Sequence, residues 1–106
     1  MATKRTPVSS ELRRAVARLR QEIDVETAVL FGSRATGEAH RDSDFDLAVF
    51  SKAVERWTVE DKLRLTGMIK EINPLIELHL FSERALREAR PTNFAGHILA
   101  TGVKVA

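Results

Sequence analysis

Cysteine is absent, and that one absence excludes a disulfide scaffold, a thiol nucleophile, a Cys-type zinc site and iron–sulfur ligation. Tyrosine is also missing and aromatics reach only 6%, so a stacking platform for single-stranded bases is poorly supplied. No apolar run approaches a membrane span. The opening M-A-T-K-R-T-P-V-S-S-E has no apolar signal segment. A soluble, cytoplasmic protein with no membrane attachment is the expectation. The 106 residues are 43% hydrophobic and 30% charged, which suits one domain over 1–106 with a modest core rather than a disordered tail.

Charge is unevenly spread. The net charge is +2, yet the first twenty residues carry six basic side chains and one acidic. This predicts a basic N-terminal helix, within 1–26, leading into a slightly acidic body. A solvated arginine face accounts for it better than a nucleic-acid site, so direct nucleic-acid binding is not expected.

The pattern along the chain alternates helix and strand. Ser9 or Ser10 can cap a helix bearing Leu12, Ala15, Val16, Leu19 and Ile23 at helical spacing. Thr27 to Phe31 reads as a strand that stops at Gly32-Ser33, and Phe45 to Phe50 as a second. Between them, Arg34 to Ser43 reads as a helical turn and loop. Thr58 and Asp61 form a capping-box pattern ahead of Leu63, Leu65, Met68, Ile69 and Ile72, and Asn73-Pro74 breaks that helix. Leu75 to Phe81 is a third strand, with Ile76, Leu78 and Leu80 on one face and Glu77 and His79 on the other. Ser82 caps a short helix, Thr92 a last one with Phe94, Ile98 and Leu99, and Val103 to Val105 forms a final strand. The fold class is α+β, a small mixed sheet packed with helices.

The informative stretch is L-F-G-S-R-A-T-G-E-A-H-R-D-S-D-F-D-L-A-V, from Leu30 to Val49. Asp44 and Asp46 share a strand face, while Phe45, Leu47 and Val49 point into the core. Aspartate is a poor strand residue, and two parallel carboxylates repel unless a cation lies between them. Such an oxygen set suits Mg²⁺, which takes one or two carboxylates and completes its shell with water and phosphate. Gly32 lets the backbone approach a ligand closely, and Ser33 adds a hydroxyl at a helix start where amides point outward. Each half alone is a weak signal. Together they make a phosphate cradle beside an acid pair.

The pattern G-S-R-A-T-G followed by S-D-F-D-L closely resembles the signature of the nucleotidyltransferase superfamily that includes DNA polymerase beta, and most of all its minimal nucleotidyltransferases (MNT). A weaker resemblance runs through Ile76-Glu77-Leu78 and N-F-A-G-H-I-L-A-T-G-V. The resemblance implies the nucleotidyltransferase fold and three carboxylates holding two Mg²⁺ ions, with Mn²⁺ a possible substitute. Asp44 and Asp46 match the first two. Glu77 is the acid available for the third place, where the family usually has Asp one methylene shorter. Two metals about 3.5–4 Å apart stabilise both the attacking and the leaving oxygen of an in-line displacement. Gly32 and Ser33 then hold the outer phosphates. Arg34 reads equally as a phosphate partner or a surface arginine, and Ser43 as a family position or a strand-entry turn.

The implied activity is transfer of a nucleoside monophosphate from ATP or another NTP, AMP from ATP being the first expectation, to a hydroxyl acceptor. Minimal nucleotidyltransferases are typically encoded beside a HEPN-domain protein, so the resemblance implies a hetero-oligomer in which this chain is the antitoxin and modifies a HEPN toxin. Two alternatives stand beside it: a non-catalytic module that neutralises its partner by contact, and transfer to a small molecule such as an aminoglycoside. His40 reads as a solvated loop residue, and His79 as a filler of the sheet surface rather than a neighbour of the metals. His97 has no metal-ligand spacing, and Trp57 reads as a staple or partner contact.

Overall fold

The computed structural model describes residues 9–37 and 43–106. His40, and the part of the Arg34–Ser43 segment in 38–42, lie outside them. Helix α1 spans Ser10–Arg20, and the Ser9 hydroxyl accepts from the Leu12 amide at its start. The helix ends before Ile23, which helical spacing alone would include, because Ile23 already sits in the turn beyond it, its amide on the Leu19 carbonyl. Strand β1 is Thr27–Phe31, α2 the single turn Ser33–Thr36, and β2 Phe45–Ser51. A 3₁₀ turn, Lys52–Arg56, leads to α3, Val59–Ile72. The Thr58–Asp61 capping box forms as predicted, with both reciprocal bonds near 3 Å, worth about 1 kcal/mol. Strand β3 is Ile76–Ser82, α4 Glu83–Arg87, α5 Phe94–Thr101 and β4 Val103–Lys104.

The sheet order is β3-β2-β1-β4. β1 is antiparallel to both β2 and β4, while β2 and β3 are parallel. A parallel pair needs a crossover, which the 3₁₀ turn and α3 supply. Strand alternation divides the apolar side chains between the two faces. Ala28, Leu30, Leu47, Val49 and Ile76 pack with Leu12, Val16, Leu19, Leu65 and Ile69 from α1 and α3. Val29, Ala48 and Phe50 pack with Ala95 and Ile98 of α5 on the other face. Burying a leucine such as Leu47 completely contributes about 2 kcal/mol, and several such residues here have no exposed surface. Glu22 ties α1 to α3 through Arg64 at 2.7 Å. That hydrogen bond is the main cause holding its carboxyl below the usual range, against the opposing effect of burial and with the charges of Arg64 and Arg18 adding to it.

Three readings of the sequence are corrected. Leu63 does not face the core: it is 65% exposed and Val59 72%, because the core-facing stripe of α3 is set by Leu65 and Ile69, half a turn away. α5 is capped by Asn93, whose side chain accepts from the Gly96 amide, and not by Thr92, since the chain turns back at Arg90–Asn93 first. Phe94 at its first position is 55% exposed. Among the described residues no helix is long and apolar enough to cross a membrane.

Candidate active site

The pairing of β1, β2 and β3 gathers the motif at one end of the sheet. Phe31, the last residue of β1, lies opposite Asp46. In the parallel pair Asp46 lies beside Glu77, and Ala48 beside His79. Asp46, Ala48 and Phe50 therefore share the α5 face, while Phe45, Leu47 and Val49 pack toward α1 and α3.

Gly32 turns the chain from β1 into α2 with φ 77° and ψ −156°, a region essentially restricted to glycine. Its carbonyl accepts from the Ala35 and Thr36 amides. A Cβ at this position would stand 2.7 Å from Asp46 Oδ2. The missing side chain is thus space that the Asp46 carboxylate uses. Gly32→Ala should lower stability by about 2 kcal/mol through backbone strain and push the carboxylate aside as well. Denaturant midpoints check the first effect. An unchanged midpoint would mean that the turn is not held in this conformation.

Asp46 Oδ1 lies 3.1 Å from His79 Nε2. The imidazole stands edge-on to Phe31 with ring centres 5.0 Å apart. His79 is therefore not a bland sheet filler. The contact joins residues 33 apart in sequence, and only the parallel register brings them together. The surroundings are aromatic: Phe31 meets Phe94 at 5.7 Å, Phe94 meets Phe81 at 6.0 Å, and Phe81 stacks on Phe50 at 5.1 Å. Four of the five phenylalanines of a chain poor in aromatics are thus gathered on this face.

Glu77 is half-exposed, and its Oε1 lies 3.6 Å from Lys70 Nζ. Lys70, on α3, also donates to the Pro74 and Ile76 carbonyls at the start of β3. Asp44 is exposed, one residue ahead of β2. Among the described residues no three His, Cys, Asp or Glu side chains already converge as a metal cluster.

Arg34 donates through Nε and Nη2 to the Ser43 carbonyl at 3.1 and 2.8 Å, and its guanidinium lies 4.1 Å over the Phe45 ring. It ties α2 to the entrance of β2, and Ser43 is the other end of that tie. Ser33 is exposed at the first position of α2, next to Gly32. His97 is exposed on α5, away from these residues in sequence. Trp57 packs against the core cluster that α1 and α3 share with the sheet, not as a staple, since the position it would pair with in α3 is Lys62. It also lines a recess of about 540 Å³ with Asp24, Lys52, Arg56 and Glu83. That recess adjoins the far end of β2 from Asp46.

Residues 14–106 match the family described as Polymerase beta, Nucleotidyltransferase. The chain belongs to this family. None of the curated proteins matches it. Its fold is shared by solved structures, including the following two. A candidate nucleotidyltransferase from Sulfolobus solfataricus superposes with a TM-score of 0.61 and 17% identity, over 98% of this chain and 89% of that one. A toxin–antitoxin complex crystallised with AMP-PNP gives 0.60 and 20%, over 89% and 72%. At these identities the likeness is one of fold.

The donor set of this nucleotidyltransferase domain suits a hard divalent cation. A carboxylate offers about four lone-pair positions, and His79 occupies one of those on Asp46. Asp44 is open to solvent, and Glu77 is the register partner of Asp46. All three are oxygen donors of the kind that Mg²⁺ prefers.

Proposed function

We propose that this domain transfers AMP from ATP to a hydroxyl of a partner protein, a HEPN-type toxin that it neutralises as the antitoxin. The observation that carries the reading is the side-by-side register of Asp46 and Glu77, with Gly32 leaving room at the Asp46 carboxylate. The fold likeness to a toxin–antitoxin complex with AMP-PNP supports the partner class.

Asp44, Asp46 and Glu77 would hold the divalent cation, which supplies Lewis-acid polarisation of the phosphates when bound. Glu77 has to leave Lys70 to join them, a small cost because both side chains of the pair are substantially exposed. Gly32 and Ser33 line the approach of the outer phosphates, and no side chain at 32 obstructs them. The acceptor oxygen attacks the α-phosphorus, the bond to the bridging oxygen breaks, and pyrophosphate leaves. The acceptor proton passes to a carboxylate at the site or to solvent. Arg34 serves this chemistry indirectly, by holding α2 against the start of β2.

The Lys70–Glu77 contact favours a second reading, a domain that neutralises its partner by contact alone. Intact-mass spectrometry separates the two. After incubation with ATP and Mg²⁺, the partner should gain one or more AMP units, and Glu77→Gln should slow the gain sharply while leaving the complex intact. A partner that stays unmodified yet inhibited, equally by wild type and by the acid variants, would establish contact neutralisation instead.

A further inference from the structure

The Asp46 carboxylate is gripped on one side and given room on the other. Its Oδ1 lies against His79 Nε2 at 3.1 Å, and its Oδ2 occupies the space that a side chain at Gly32 would fill. An ionised carboxylate only accepts hydrogen bonds, so the Nε2 must carry the hydrogen and donate it. The imidazole is itself fixed. Phe31 stands edge-on to the ring, and the register neighbour of His79 on β2 is Ala48, whose methyl leaves the ring room to lean toward Asp46. Asp46 is half-buried in a strand, where a free carboxylate torsion is broad rather than confined to one well.

We infer that His79 is a positioning residue for the nucleotidyl-transfer site: its Nε2–H fixes the Asp46 carboxylate so that the remaining lone pairs face the cation. The inference rests on the reading of Asp46 as a metal ligand. A partner of this kind on a ligating group sets orientation and basicity, and its loss typically weakens metal binding about 10- to 100-fold. His79 touches no reacting atom in this scheme. Its effect passes through Asp46.

Calorimetric titration of Mn²⁺ with ATP into the isolated protein, without any acceptor, reads this directly. His79→Ala should weaken binding about 10-fold or more with a melting midpoint close to wild type, since the ring is partly exposed. His79→Gln should restore most of the affinity, because its amide Nε2 can donate from nearly the same place. A purely structural histidine would give the opposite pattern, a lowered midpoint with no selective rescue by Gln. Asp46→Asn is the reference. If it loses binding while His79→Ala binds as wild type does, positioning by His79 is overturned and the metal reading stands. If Asp46→Asn also binds normally, the metal reading itself fails.

Discussion

Asp46→Asn should lower nucleotidyl transfer by about 1,000-fold, corresponding to roughly 4 kcal/mol of lost transition-state stabilisation, with the fold intact. The substitution keeps the size and shape of the side chain. Its amide oxygen can still accept from His79, which preserves the 3.1 Å contact, and the strand pairing of β2 does not involve the side chain. What disappears is negative charge at the place where a cation would have to be held. Single-turnover labelling of the partner measures the rate, and thermal melting measures the fold. A variant that transfers at more than about a tenth of the wild-type rate would show that Asp46 does not hold the cation. A collapsed melting transition would instead make its role structural.

Gly96→Ala should be the most destabilising single methyl that can be added at a glycine here, at about 3 kcal/mol or a drop of roughly 15 °C in melting temperature. A Cβ there would lie 1.7 Å from the Arg90 carbonyl oxygen and 2.3 Å from its carbon. Those are backbone atoms, and they cannot swing away as a side chain would. The turn they belong to is also cross-braced. Asn93 donates to the Glu88 carbonyl and accepts from the Arg90 and Gly96 amides. Yielding would lift α5, with Ala95 and Ile98, off the sheet. Gly67 is the contrast, an exposed glycine in α3 with nothing within 4 Å of its added Cβ. Gly67→Ala should stabilise by just under about 1 kcal/mol through helix propensity. Similar denaturant midpoints for the two variants would contradict this account of α5 packing.

Local chemistry made much of this fold legible in the sequence. Val-, Leu- and Phe-rich runs marked β1 to β3 to within a residue, with Gly32 closing the first and Pro74 standing before the third, and Thr58 with Asp61 marked the start of α3, because these signals act within a few residues of themselves. Asp44 and Asp46 are conspicuous because aspartate is costly at a strand without a reason, and Gly32 because it stops a strand where the backbone can approach a ligand closely. What stayed hidden depended on pairing between distant segments. The His79–Asp46 contact follows from the β2–β3 register, while Lys70 reaches Glu77 through the way α3 turns into β3. The exposure of Leu63 and Phe94 is likewise a matter of which flank of a helix meets the sheet, and helical spacing alone does not specify that. Arg34 could have been weighed differently, since Phe45 and Ser43 stand near enough in sequence to receive it.

The odd–even division of β2 sets the kind of sequence change that this strand can absorb. Phe45, Leu47 and Val49 look one way and Asp46, Ala48 and Phe50 the other, so a substitution alters one side of the sheet while a single-residue insertion or deletion exchanges both. One such shift would drive the Asp46 carboxylate into the leucine-lined interior and turn Leu47 out beside Gly32 and His79. The candidate site and the core are therefore locked in phase. A lineage can tune residues beside Asp46 one at a time, but length changes must come in the connections, and any that reach β2 remove fold and site together.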